Sequence, residues 1–186
     1  MNDYIAPDHL LSGKTILITG AGDGIGRQAA ISYATHGATC ILLGKTVSKL
    51  EAVYDEIVAA GYPEPAIIPL DLNGATPKHY QGMANTISDQ FGVLDGILFN
   101  AGKLGHLSPF AQIPVDEWQQ VMQVNLNSAM YMLQPLLPLL LKAEAASVIF
   151  TSSSVGRKGR AFWGTYSVSK FATEGLMQVL ADEYKN

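Results

Sequence analysis

The tightest constraint on this chain is a short β-forming run that ends in a cluster of glycines. Thr15–Thr19 is apolar and β-branched, and Gly20, Gly22, Gly24 and Gly26 follow directly. Glycine accepts backbone angles that other residues avoid, so the chain can leave a strand and enter a helix within a few residues. Gly26–His36 carries the helical pattern, and Gly37 stops it. Such a turn leaves backbone N–H groups and the positive end of the helix facing one point, which suits a pyrophosphate. The spacing separates the possible glycine frames. A G-x-G-x-x-G frame starting at Gly20 needs glycine where Ile25 stands, whereas Thr19, Gly20, Gly24 and Gly26 fit T-G-x-x-x-G-x-G. Taken alone, the turn is also compatible with a plain loop, a phosphate site or a methyl-donor site.

The rest of the chain repeats the strand-then-helix rhythm. Thr39–Leu43 reads as a second strand and Ser48–Ala60 as an amphipathic helix with Leu50, Val53, Ile57 and Val58 on one face. Ala66–Leu70 is a third strand, Pro77–Gln90 a weak helix, and Ile97–Asn100 a fourth strand. Pro114–Lys142 is one long helical pattern that Pro135 and Pro138 are expected to bend or interrupt. Ser147–Thr151 is a fifth strand and Tyr166–Tyr184 a final helix. Strands alternating with helices predict an α/β fold, a doubly wound parallel sheet in three α/β/α layers. A ligand then belongs at the carboxyl ends of the strands.

With 186 residues, 48% hydrophobic and 15% charged, the chain suits a single domain spanning 1–186 around one core. Net charge is −4, and no basic stripe is available to follow a nucleic-acid backbone. The nearest approach is Arg157-Lys158-Gly159-Arg160, which reads as a solvated loop. Cys40 is the only cysteine and lies in an apolar run, so it reads as an inert buried thiol. His9, His36, His79 and His106 share no metal-ligand spacing with Cys, Asp or Glu, and no metal is expected. The N-terminus lacks the pattern of a secretory signal. The most apolar stretch, Met130–Leu141, contains Gln134 and two prolines and falls short of the ~20 residues of a membrane span. A cytoplasmic location with no membrane partner is expected.

Two features carry chemistry. Tyr166 and Lys170 are four apart on a predicted helix and therefore share a face. A free phenol holds its proton to about pH 10, and an ammonium nearby stabilises the phenolate. That would make a tyrosine a usable proton donor or acceptor. Just upstream, Ser152, Ser153 and Ser154 follow the fifth strand, and their chemistry alone does not choose among them. Asn125 sits mid-helix among apolar residues, where a buried amide needs partners. At the end of the second strand stands Gly44-Lys45 rather than a carboxylate, which favours a 2′-phosphate and hence NADP over NAD.

In this order the glycine frame, Lys45, Asp71, Asn100-Ala101-Gly102, Asn125 and Tyr166/Lys170 resemble the short-chain dehydrogenase/reductase family over nearly the whole chain. The resemblance implies a Rossmann fold and hydride transfer between NADP(H) and a small carbonyl or alcohol. It implies cofactor contacts at Gly20, Gly22, Asp23, Gly24, Ile25, Gly26, Lys45, Asp71, Leu72, Asn100, Ala101 and Gly102, and also at Tyr166 and Lys170. Asp71 would meet the adenine, and Phe99 replaces the first asparagine of the family's N-N-A-G turn. The family's serine belongs to S-x-x-G, 13 positions before the tyrosine, a spacing that only Ser153 satisfies through Gly156 and Tyr166. Asn125 would order a water in the proton relay to Lys170 through its backbone. A homodimer or homotetramer is expected on the same ground, and the end of the chain resembles a bacterial branch with unassigned substrates.

Family members are usually longer. The strands and substrate loop that would follow Asn186 are absent, which suggests a portion of a longer polypeptide with its fifth strand left as an edge. Two rival readings remain: a dinucleotide-binding sensor or inactive relative without turnover, and a methyl-donor transferase, which Lys45 disfavours.

Overall fold

Hydrophobic alternation within the strands decides how the sheet is covered. In the computed structural model, which describes residues 5–185, five parallel strands form one sheet. These are β1 (Thr15–Thr19), β2 (Thr39–Gly44), β3 (Ala66–Pro69), β4 (Gly96–Phe99) and β5 (Ser147–Phe150), in the order β3-β2-β1-β4-β5. Along β2, Cys40 and Leu42 face one side and Ile41 and Leu43 the other, all fully buried. Helices therefore cover both faces. Ile18, Leu42 and Leu98 pack with α1 (Gly24–Thr35) and α2 (Val47–Ala59). Leu17, Ile41 and Ile97 pack with α3 (Pro77–Phe91) and α5 (Ser128–Leu140). The expected three-layer, doubly wound sheet is what the chain forms. Strand order reverses between β1 and β4, which opens a crevice at their carboxyl ends.

Several boundaries differ from the sequence expectation. The first helix begins at Gly24 rather than Gly26, because the Asp23 carboxylate caps it by accepting from the Gly24 N–H at 2.8 Å. Val58 is 44% exposed and does not join Leu50, Val53 and Ile57 in the core. The long helical pattern divides into α4 (Val115–Met122) and α5, with a π-helical turn at Gln123–Asn127 between them. Pro135 and Pro138 do not interrupt α5. The carbonyls they leave without an intrahelical donor belong to Tyr131, which is half-buried, and Gln134, which is exposed. The last helix, α6 (Gly164–Glu183), starts two residues early, where Gly164 leaves room for Ile113.

The glycine turn is built by close approach. A Cβ on Gly26 would lie 2.2 Å from the Gly20 carbonyl oxygen and 2.7 Å from Asn100 Nδ2. Gly20 itself has φ +68°, in the left-handed region. Replacing Gly26 with alanine is expected to destabilise the fold by about 1–3 kcal/mol in urea titration. Gly82→Ala, at an exposed position inside α3 with nothing within 4 Å, is expected to be neutral or to stabilise by up to ~1 kcal/mol.

Candidate active site

Three strand ends are tied together by two threonines. The buried Thr19 hydroxyl accepts from the backbone N–H of Asn100 and of Ala101, each at 3.0 Å, and donates to the Leu98 carbonyl at 3.4 Å. Thr151 donates to Asn100 Oδ1 at 3.3 Å, which extends the link from β1 and β4 to the end of β5. Phe99, at the position of a family asparagine, stacks on Phe150 of β5 with ring centroids 4.9 Å apart.

Beside this junction lies an open cleft of about 550 Å³. Gly20, Gly22 and Asp23 line it from the glycine turn, and Lys45 from the end of β2. Asp71 and Leu72 close the β3 side, and Asn100, Ala101 and Gly102 the β4 side. Gly24, Ile25 and Gly26 are outside the lining; Gly26 shapes the turn and Ile25 is 67% exposed. Asp71 also makes the turn after β3, accepting from the Asn73 N–H at 3.0 Å. Lys49 and Thr46, which the sequence reading passed over, complete the rim. Lys49 pairs with Asp23 across the glycine turn, and it is the foremost cause that holds the Asp23 carboxyl below the usual range.

The chemical residues gather just beyond the cleft. A Cβ on Gly102 would lie 3.9 Å from Lys170 Nζ and 3.6 Å from Asn125 Oδ1, so this glycine is the doorway between the two halves. Lys170 is 4% exposed, donates to the Thr151 carbonyl at 2.7 Å, and has its Nζ 5.6 Å from the centre of the Tyr166 ring. No carboxylate pairs with it among the described residues, and burial pushes its pKa below the usual lysine value. Tyr166 is half-buried, with the Trp163 ring 6.1 Å away.

The serine turn is fastened to α6 at two points. Gly156 has no room for a side chain, since a Cβ would lie 2.9 Å from Lys170 Cβ, and Ser167 donates to the Val155 carbonyl at 2.6 Å. Ser153 is half-buried and its hydroxyl accepts from the Val155 N–H at 3.4 Å. Ser154 is exposed, while Ser152 Oγ is buried with no hydrogen-bond partner.

Asn125 occupies the π turn, and its amide is fully engaged. Oδ1 accepts from the Lys103 N–H at 2.7 Å, and Nδ2 donates to the Lys103 carbonyl and to Ser169 Oγ, each at 2.9 Å. Ser169 passes the contact on, donating to the Tyr166 carbonyl at 2.8 Å. Glu117, in the first turn of α4, holds the same loop. Buried at 8% exposure, it accepts from the His106 N–H at 2.9 Å and meets His106 Nδ1, which keeps its carboxyl below the usual range. The loop then reaches α6, with the Ser108 N–H donating to the Phe162 carbonyl at 3.1 Å.

Known proteins resemble this chain in sequence and fold. A family described as short chain dehydrogenase matches residues 14–186. The uncharacterized oxidoreductase YciK of Escherichia coli is 51% identical over 182 residues, covering 98% of this chain and 72% of that protein. A short chain dehydrogenase from Pseudomonas syringae superposes with a TM-score of 0.96 at 54% identity, over 98% of this chain and 74% of the other. One from Shigella flexneri, complexed with NADP, gives 0.93 at 51% identity, over 96% and 74%. Among the described residues no helix is long and apolar enough to cross a membrane. Cys40 is buried as expected, its thiol pushed up to about 12 by burial.

Two outcomes follow from these contacts. Asn125→Leu leaves the Lys103 N–H and carbonyl unpaired and should cost about 1–3 kcal/mol in denaturant midpoint analysis. Lys170→Met should change the pH dependence of stability. The native pKa of Lys170 is depressed, so above it the unfolded chain binds more protons and wild-type stability rises with pH toward the ordinary value of 10.5. The variant lacks that rise. Thermal unfolding from pH 7 upward should therefore show the variant losing ground to wild type; parallel curves would contradict the buried ammonium.

Proposed function

The chain belongs to the short-chain dehydrogenase family, and on that premise we propose that it passes hydride between NADP(H) and a small carbonyl/alcohol pair, with Tyr166 moving the proton. The observation that carries this reading is the buried, carboxylate-free Lys170 beside the Tyr166 ring, one residue's width from the cleft at Gly102. An unpaired ammonium in the interior is costly to keep, and it is placed where a phenol needs a positive charge.

The cleft fits a dinucleotide. Its glycine turn has the close approaches that leave backbone exposed to a pyrophosphate, and α1 offers its N-terminal end there. The backbone at Gly20 and Gly22 would hold the pyrophosphate side, with Asp23 capping α1 beside it, and Asp71 and Leu72 the adenine. Lys45 is exposed and in no ion pair among the described residues, and no carboxylate ends β2 to take a ribose 2′-hydroxyl. Both features favour NADP over NAD, and one similar enzyme is complexed with NADP.

The nicotinamide, when bound, supplies hydride to the carbonyl carbon or takes it from the alcohol. In the reducing direction Tyr166 gives its phenolic proton to the carbonyl oxygen as the alcohol forms, and it takes the proton back in oxidation. Lys170 stabilises the phenolate left on Tyr166 and would hold the nicotinamide ribose. Ser153 hydrogen-bonds the substrate oxygen and orients it. The backbone of Asn125 contributes to proton return to Lys170, while its amide holds the loop behind Gly102. A cytoplasmic homodimer or homotetramer is part of the same reading.

Tyr166→Phe is expected to lower turnover of a carbonyl substrate by about 10²–10⁴-fold while NADPH binding persists in fluorescence titration. Ser153→Ala should lower kcat, and Ser154→Ala should not. Full turnover by the Tyr166 variant would overturn the mechanism. Wild-type protein that binds NADPH but reduces nothing in a panel of ketones, aldehydes and quinones would favour a dinucleotide sensor.

A further inference from the structure

The corner of the cleft that holds Lys45 carries two more charges, Asp23 and Lys49. Gly22 lies outside the T-G-x-x-x-G-x-G frame, but it has no room for a side chain: a Cβ there would sit 2.9 Å from Lys49 Cβ and 3.4 Å from the Lys49 carbonyl carbon. Gly44 is similarly close to Leu50, with 3.2 Å from a Cβ to Leu50 Cδ2. The first turn of α2 is thus laid directly on the glycine turn, and Lys49 is carried across it. Its Nζ lies 2.5 Å from Asp23 Oδ2, and both side chains remain solvent-exposed on the cleft rim. The Asp23 carboxylate meanwhile caps α1 through its other oxygen. The Thr46 hydroxyl, between Lys45 and α2, makes no capping bond of its own.

We propose that Lys49 is a second cofactor-selecting residue: by holding Asp23 it offsets a negative charge that would repel the 2′-phosphate of NADP(H). The inference rests on the NADP reading above and adds to it. Without Lys49, Lys45 and Asp23 leave this corner with no net charge, and the 2′-phosphate loses its advantage over a hydroxyl. With Lys49 the three groups sum to one positive charge. Asp71 follows β3, whose neighbouring Leu70 N–H bonds the Gly44 carbonyl beside Lys45; it also lines the cleft and is the same in every variant considered, so it drops out of the comparison. Because the pair is exposed, its effect is modest and should weaken with salt.

The test is a binding titration of the protein with NADPH and with NADH, followed by nicotinamide fluorescence at low salt, which needs no turnover. Lys49→Gln should lower the NADPH-to-NADH affinity ratio by about five-fold, the upper end for an exposed ion pair. Lys49→Arg should keep the ratio. Asp23→Asn, which retains a helix-capping side chain, should raise it, and the double variant should return close to wild type because the net charge is restored. Damage to the turn would weaken both cofactors alike and leave the ratio unmoved. An unchanged ratio in Lys49→Gln, or a double variant no better than Lys49→Gln, would overturn the inference while leaving the NADP reading intact. A wild-type protein that binds both cofactors equally would overturn the NADP reading and this inference with it.

Discussion

The hydroxyl of Thr19 holds the functional end of the sheet in register. Parallel strands splay apart once their ladder ends, and β1 and β4 end where the chain must turn in two directions. One oxygen takes both N–H groups of the Asn100-Ala101 turn and gives its proton to β4. Thr19 is 1% exposed, so loss of its hydroxyl would leave two buried N–H groups without their partner. Everything nearby uses the resulting geometry. The Ala101 backbone comes close enough to Gly20 that a Cβ there would lie 3.1 Å from its Cα, and Asn100 reaches both Gly26 and Thr151. The cleft and the lysine behind it are therefore parts of one rigid construction at three strand ends.

Lys170 shows what that rigidity is used against. An ammonium taken out of water without a counter-charge favours the neutral form, and what offsets this among the described residues is the Thr151 carbonyl and the nearby Tyr166 ring. The surrounding contacts prevent the side chain from escaping. Gly156 lets the serine turn close over Lys170 Cβ, and Ser167 binds the same turn from the next face of the helix. A lysine on a loosely packed helix would turn out to solvent. Here the packing keeps a destabilising charge in position beside the Tyr166 ring, as the proposed proton transfer would require.

How much of this was legible in the sequence depended on how far apart the partners lie. The glycine frame, the Tyr166/Lys170 spacing and the strand-helix rhythm are local patterns; the rhythm agrees with the sheet, while of the frame's glycines Gly20 lines the cleft and Gly24 and Gly26 lie outside its lining. Asp23 as a helix cap was also readable, since an aspartate before a helix start is a local signal, and overlooking it displaced the start of α1. The contacts that escaped notice join distant segments. Thr19 meets a turn 81 residues away, and Asn125 meets Ser169 across 44. Neither residue type announces such a partner. Glu117 resembles any acidic residue near a helix start until its burial against His106 is known. The prolines misled because their effect depends on which carbonyls they release, here those of the half-buried Tyr131 and the exposed Gln134.

Asn125 illustrates how a residue chosen for one role can acquire a wider one from the fold. An ordinary α-helix would hold its amide in register with its neighbours, but the π turn adds a residue and lets the side chain leave the helix. The amide then bonds both backbone groups of Lys103, as a strand would, and spends its remaining proton on Ser169. Ser169 fixes the carbonyl of Tyr166. Thr173 closes the circuit, donating to the Ser169 carbonyl at 2.9 Å and to the Asn125 carbonyl at 3.4 Å. A single buried amide thus sets the distance between the loop after the cleft and the first turn of the helix bearing Tyr166. Proton transfer tolerates little error in that distance, because reacting groups must meet within hydrogen-bond reach. The amide therefore acts through position, whatever its backbone contributes to the chemistry.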